Sequence, residues 1–268
     1  MKKNILLIFT TVLFLSIFLY FKTTPNNKPQ PLTNQNISYY KKENTNRYNL
    51  YQNKNKHLKK EDIITYVNIG IDKPPYTNTK KAKFLNTTYI LVNKYNYLDK
   101  NYIPKNLDTI NRNFSLPNKK LVHEAKIAFE QMAQEAKRNN LNIRAISTYR
   151  TYSYQKELYD NYVKNSSIEE ADKYSARAGY SEHQTGLVVD CDNKINYYEN
   201  FEKTPEFKWM QQNAHKYGFI LRYPKNKEYI TGYNYESWHY RYVGSIIATY
   251  IQKNNITFEE YYVKFIDN

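Results

Sequence analysis

The segment Ser181-Glu182-His183-Gln184-Thr185-Gly186-Leu187-Val188-Val189-Asp190 sets a polar, histidine-bearing turn directly before a short apolar run. Residues 187–190 read as a buried strand, and Gly186 allows the chain to turn between His183 and that strand. Upstream, Leu121, Val122, Ala125, Ala128, Phe129, Met132, Ala133 and Ala136 recur mostly at three- and four-residue steps. That spacing predicts a helix with one buried face. After Asn139-Asn140, Leu141, Ile143, Ala145 and Ser147 fall on one pleat, and Asn142, Arg144, Ile146 and Thr148 on the other. The alternation predicts a short strand leading into Tyr149-Arg150. Residues 153–164 and 168–174 read as short helices. Downstream, Thr204 caps a helix with Pro205 in its first turn and Gly218 just past its end. Residues 219–223 and 238–243 read as further strands and 244–252 as a helix. Helices and strands mix without regular alternation, so the expected class is α+β.

The chain has 268 residues, with 40 Lys and Arg against 25 Asp and Glu for a formal charge of +15. Residues 1–22 and 23–61 look non-globular, which leaves 62–268 as the folded domain. A domain of that size buries enough apolar surface to fold without staples, so any metal need not be structural. The single cysteine, Cys191, excludes an internal disulfide. The positive field favours anionic surroundings such as lipid head groups or acidic wall polymers. The 30 tyrosines beside abundant Lys, Asn and Ile equally fit the residue choice of an AT-rich genome. The lysines are scattered and no nucleic-acid-reading motif accompanies them, so no nucleic-acid partner is expected. Six glycines and no Gly-rich phosphate loop argue against a nucleotide fold.

Lys2 and Lys3 precede eighteen residues, 4–21, that carry no formal charge and are dominated by Leu, Ile, Phe and Val. A helix of that length nearly crosses a hydrocarbon core, and the lysines favour a cytoplasmic N-terminus with export of the rest of the chain. No Ala-x-Ala comes after the run, so 1–22 reads as an uncleaved membrane anchor, with a cleaved signal and a secreted protein as the alternative. Residues 23–61 are rich in Asn, Lys, Gln and Pro and contain eight Lys or Arg against two Glu. They are expected to form a disordered basic tether, since so few aliphatic side chains cannot offset the entropy of ordering.

Of the five histidines, His57, His123 and His215 sit among polar neighbours and read as solvated. His183 and His239 differ: the second lies in Glu236-Ser237-Trp238-His239-Tyr240-Arg241-Tyr242-Val243-Gly244. Imidazole and carboxylate are good zinc ligands, and three of them leave a fourth tetrahedral position for water. His183, Asp190 and His239 would make that set, and Glu236 is the carboxylate placed to take a proton from such a water. The spacings alone are weak, because along a regular strand a separation of three or seven residues points side chains to opposite faces. Core and surface histidines stay an open alternative on these spacings.

These two blocks resemble the signature blocks of the VanY-type D-alanyl-D-alanine carboxypeptidases. Leu91-Val92-Asn93-Lys94, Tyr102-Ile103-Pro104 and Ser147-Thr148-Tyr149-Arg150 resemble that family in the same order, and the likeness runs from about residue 61 to the C-terminus. The resemblance implies a small zinc peptidase domain of peptidoglycan with a central antiparallel sheet flanked by helices. It implies Zn2+ on His183, Asp190 and His239, and Glu236 as catalytic base. It further implies that Arg150 binds substrate and stabilises the polarised carbonyl, and that Gln155 and Ser181 line the substrate pocket. For Gln155 and Ser181 local capping or turn bonding is the alternative.

The activity so implied is removal of the terminal D-alanine from peptidoglycan stem peptides by a monomeric catalytic domain facing the outside of the cell membrane. An L,D-carboxypeptidase acting on tetrapeptide stems and a noncatalytic wall-binding module are the competing readings. Arg150 or Arg241 would recognise the substrate's free carboxylate, with a structural ion pair as the other role for Arg241. Cys191, on the strand beside Asp190, should face away from it as a small buried hydrophobe.

Overall fold

The computed structural model describes residues 37–196 and 198–267. The expected membrane segment, 1–22, and the first part of the expected tether lie outside these residues. Eight short strands are present among the described residues: β1 (Lys80–Lys81), β2 (Asn96–Tyr97), β3 (Leu107–Thr109), β4 (Lys120–Val122), β5 (Arg144–Ser147), β6 (Val188–Asp192), β7 (Phe219–Leu221) and β8 (His239–Tyr242). The last four form one antiparallel sheet in the order β5-β6-β8-β7, as the family resemblance implied. β3 and β4 form a separate antiparallel pair, and β1 and β2 a parallel one.

One face of the four-stranded sheet is apolar. Ala145, Val189, Cys191, Phe219 and Tyr240 pack there with Ala125, Phe129, Met132, Ala133 and Ala136 of the helix His123–Arg138. The predicted helix is therefore present with its buried face, although Leu121 and Val122 belong to β4 rather than to it. Cys191 is fully buried in this layer, and alternation along β6 turns Asp190 to the other face. The helix Pro205–Asn213 starts as predicted: Thr204 Oγ1 accepts from the Phe207 N–H at 3.1 Å, with Pro205 next to the cap.

Residues 37–61 depart from the expected tether. The helix Thr45–Lys54 lies against the helix Lys60–Ile69, which in turn packs on the C-terminal helix Phe258–Phe265. Tyr48 is wholly buried and its hydroxyl donates to Asn68 Oδ1 at 2.7 Å. Arg47 forks onto Asp72 at 2.8 and 2.5 Å and also donates to the Val67 carbonyl. Tyr39, Tyr51 and Leu58 cover Tyr66, Ile69, Ile230 and Val263. Tyrosines thus supply the apolar surface that a count of aliphatic side chains misses.

Candidate metal centre and active-site cleft

The polar face of the sheet brings the site together. Asp190 on β6 stands opposite His239 on β8 and opposite Ser147 on β5. Directly opposed residues of an antiparallel pair project to the same side, so one row across three strands carries all three. An irregularity between Ala145 and Ser147 in β5 puts Ser147, rather than Ile146, against Asp190. His183 arrives from the 3-10 turn Glu182–Thr185, which ends at Gly186 in the left-handed conformation (φ +70°). A Cβ at Gly186 would stand 2.8 Å from Leu107 Cδ2 in a left-handed backbone conformation that side chains disfavour, so glycine suits the expected turn.

His183, Asp190 and His239 are all buried, and one ligating atom from each lies within 4.8 Å of the others. Asp190 Oδ1 is 3.1 Å from His239 Nδ1, and Asp190 Oδ2 is 3.3 Å from His183 Nε2. His183 Nδ1 meets the Thr148 carbonyl at 2.7 Å, which assigns the ring proton to Nδ1 and leaves the Nε2 lone pair for a ligand. Burial and the Arg150 charge hold the His183 pKa down at about 4, so the ring is neutral near pH 7. Burial works against the charged form of Asp190, but His183 and His239 outweigh it and keep its carboxyl well below the usual range. Asp190 Oδ1 is buried and makes no hydrogen bond of good geometry among the described residues. Two imidazoles and a carboxylate with an unsatisfied oxygen fit a zinc ion by donor type and number.

Glu236 lies in the segment before β8, with its N–H on the Tyr223 carbonyl at 3.1 Å and its Oε2 3.3 Å from His239 Nδ1. Burial, and next the Asp190 charge, push its carboxyl well above the usual range. A carboxyl so placed holds a proton to higher pH than one in water, as an acid-base group needs. The Tyr223 ring sits 4.7 Å from the His239 ring and fixes its plane.

Arg150 donates through Nε and Nη2 to Ser147 Oγ at 3.0 and 2.7 Å, through Nη2 to Asp190 Oδ2 at 2.9 Å and through Nη1 to Gln155 Oε1 at 3.3 Å. Gln155 is itself held by the Ala176 carbonyl at 2.8 Å, so it braces Arg150 as well as lining the cleft. Ser181 lines the cleft without a side-chain capping bond. All seven residues singled out from the sequence border one cleft of about 540 Å³.

Arg241 does not join them. It is buried with Nη1 on Glu182 Oε1 at 2.9 Å and Nη2 on the carbonyls of Thr88 and Ile90, so its role is structural and it cannot reach a substrate carboxylate. Glu182 also accepts from Arg222 Nε at 2.9 Å, and Arg222 forks onto Glu259 at 2.8 and 2.5 Å. This fully buried network underlies the turn that carries His183, and only its Arg241 end was legible in the sequence. His123 is exposed and meets Asp108 at 2.5 Å, and neither it nor His57 or His215 borders the cleft.

The family described as VanY, D-alanyl-D-alanine carboxypeptidase, matches residues 118–245. The putative carboxypeptidase YodJ of Bacillus subtilis (strain 168) is 44% identical over 181 residues, covering 65% of this chain and 66% of that protein, just under two thirds of its length. Among solved structures, the LdcB LD-carboxypeptidase is similar with a TM-score of 0.64 at 41% identity, covering 69% of this chain and 93% of that one. A vancomycin resistance D,D-pentapeptidase VanY in complex with Zn(II) is similar with a TM-score of 0.55 at 30% identity, covering 65% and 98%.

Proposed function

This chain belongs to the VanY family of D-alanyl-D-alanine carboxypeptidases, and from that premise we propose that it is a zinc-dependent carboxypeptidase removing the terminal D-alanine from peptidoglycan stem peptides. The observation that carries the proposal is the convergence of His183, Asp190 and His239 beside the buried carboxyl of Glu236. His183, Asp190 and His239 would hold the zinc ion, which when bound would supply Lewis-acid polarisation and favour deprotonation of water. Glu236 takes the proton of the attacking water and returns it to the amide nitrogen as the C–N bond breaks, which releases D-alanine. Arg150, held in place by Ser147 and Gln155, stabilises the charge that develops on the carbonyl oxygen. Ser181 and Gln155 orient the peptide in the cleft. The uncharged run of residues 4–21 supports a membrane-tethered chain with this cleft outside the cell.

A second reading, an L,D-carboxypeptidase acting on tetrapeptide stems, is favoured by the higher identity to the LdcB LD-carboxypeptidase than to the D,D-pentapeptidase. Alanine release from pentapeptide and tetrapeptide stems, measured side by side, separates the two. Release from neither would sink both.

A further inference from the structure

Lys119 borders the cleft beside Arg150, immediately before β4. The next residue, Lys120, donates its N–H to Thr148 Oγ1 at 3.0 Å and accepts the Tyr149 N–H at its carbonyl at 3.1 Å. The backbone that positions Lys119 is thereby tied to the loop that carries Arg150. These two residues are the Lys and Arg side chains among those lining the cleft.

A carboxypeptidase has to meet a free carboxylate, and a guanidinium does this best through two parallel N–H groups. Arg150 has no such edge to spare. Its Nε and Nη2 edge is closed on Ser147 Oγ, its other Nη2 donor is on Asp190, and one Nη1 donor is on Gln155, which leaves a single Nη1 N–H, enough for a carbonyl oxygen but not for a two-point grip on a carboxylate. A carboxylate could claim that edge only by displacing the hydroxyl or the aspartate that orient the arginine. Arg241 is closed off in the buried network under the cleft. Lys119, by contrast, is half-buried and makes no ion pair or side-chain hydrogen bond among the described residues. Burial, and then the positive charge of Arg150, disfavour its charged form, so an anion arriving between the two cations relieves both effects.

We infer that Lys119 binds the free C-terminal carboxylate of the peptide, leaving Arg150 to the scissile carbonyl, and so makes the cleft select a chain end over an internal bond. The inference rests on the carboxypeptidase reading and adds the residue that sets its exopeptidase character.

The test uses a peptide ending in D-alanyl-D-alanine, prepared as the free acid and as the C-terminal amide. Calorimetry measures binding of each to the zinc-loaded Glu236→Gln protein with and without Lys119→Met, and alanine release is measured with Glu236 intact. A lost charge-assisted hydrogen bond predicts roughly ten- to hundredfold weaker binding of the acid in Lys119→Met, an unchanged amide, and recovery of most of the acid preference in Lys119→Arg. In turnover the loss falls on KM, with kcat nearly constant. Equal effects on acid and amide, or none, overturn the assignment. Alanine release with an acid preference indifferent to Lys119 removes Lys119 and keeps the carboxypeptidase reading. A Lys119-dependent acid preference without any alanine release keeps Lys119 and removes that reading.

Discussion

Asp190 and His239 stand directly opposite each other on neighbouring strands, with Oδ1 of the aspartate 3.1 Å from Nδ1 of the histidine. The pairing turns a sequence separation of 49 residues into one ligand edge, and the Gly186 turn adds His183 from the end of the same strand. Asp190 is the hinge of the arrangement, since one oxygen meets His239 and the other meets His183 and also anchors Arg150. On the proposed function, metal binding and carbonyl activation would be coupled through this one carboxylate.

Glu236→Gln should keep about one zinc per chain and lose turnover by roughly a hundred- to ten-thousandfold, the usual contribution of a positioned acid-base group. Zinc content by elemental analysis and alanine release on the same preparation check this. Turnover near the wild-type rate removes Glu236 as the base.

His239→Ala should lose both zinc and activity, because two remaining ligands do not make a site. Stoichiometric zinc in this variant would show that Asp190 and His183 bind the metal without β8.

Glu182→Gln strips a charge from a fully buried network and leaves Arg222 and Arg241 undercompensated, at a cost of about 3–5 kcal/mol of stability. Burial opposes ionisation of Glu182, but Arg222 and Arg241 outweigh it and hold its pKa below the ordinary value. A depressed folded pKa gives stability that is fully present above the unfolded pKa and is lost as pH falls through the folded one. Wild-type stability should therefore decline on acidification below the ordinary carboxylate pKa, and Glu182→Gln should show a shallower decline. Parallel curves of midpoint against pH would contradict this.

A chain beginning at residue 62 should be less stable than one beginning at residue 37. It lacks Tyr48, Tyr51 and Leu58, which cover the helix Lys60–Ile69. Losing about 2 kcal/mol or more of burial lowers the melting temperature of a domain of this size by roughly 5 °C or more. Equal melting temperatures would mean that residues 37–61 add nothing to the fold.

The helix His123–Arg138 is legible in the sequence because its apolar residues recur at a period near 3.6, and the strand that carries Asp190 because it is a short apolar run bounded by a polar turn. The site is legible as a list, not as a geometry. No local pattern records that β6 lies between β5 and β8, and it is this order that puts Ser147, Asp190 and His239 in one row. The helix Phe258–Phe265 goes unread in the pattern above, although Thr257 and Glu260 form a capping box that the sequence displays directly. The helix Thr45–Lys54 escapes for a different reason: it is held by tyrosines and by Arg47 on Asp72, contacts that exist only once the neighbouring helix is present.

Metal-dependent removal of the terminal alanine is tested most directly by alanine release from stems ending in D-alanyl-D-alanine, and from the matching tetrapeptide, with the protein as isolated, after a chelator, and after zinc is restored. The expected result is release from at least one stem, loss of that release with the chelator and its return with zinc. Release that persists after the metal has been removed would show that His183, Asp190 and His239 do not hold the catalytic group.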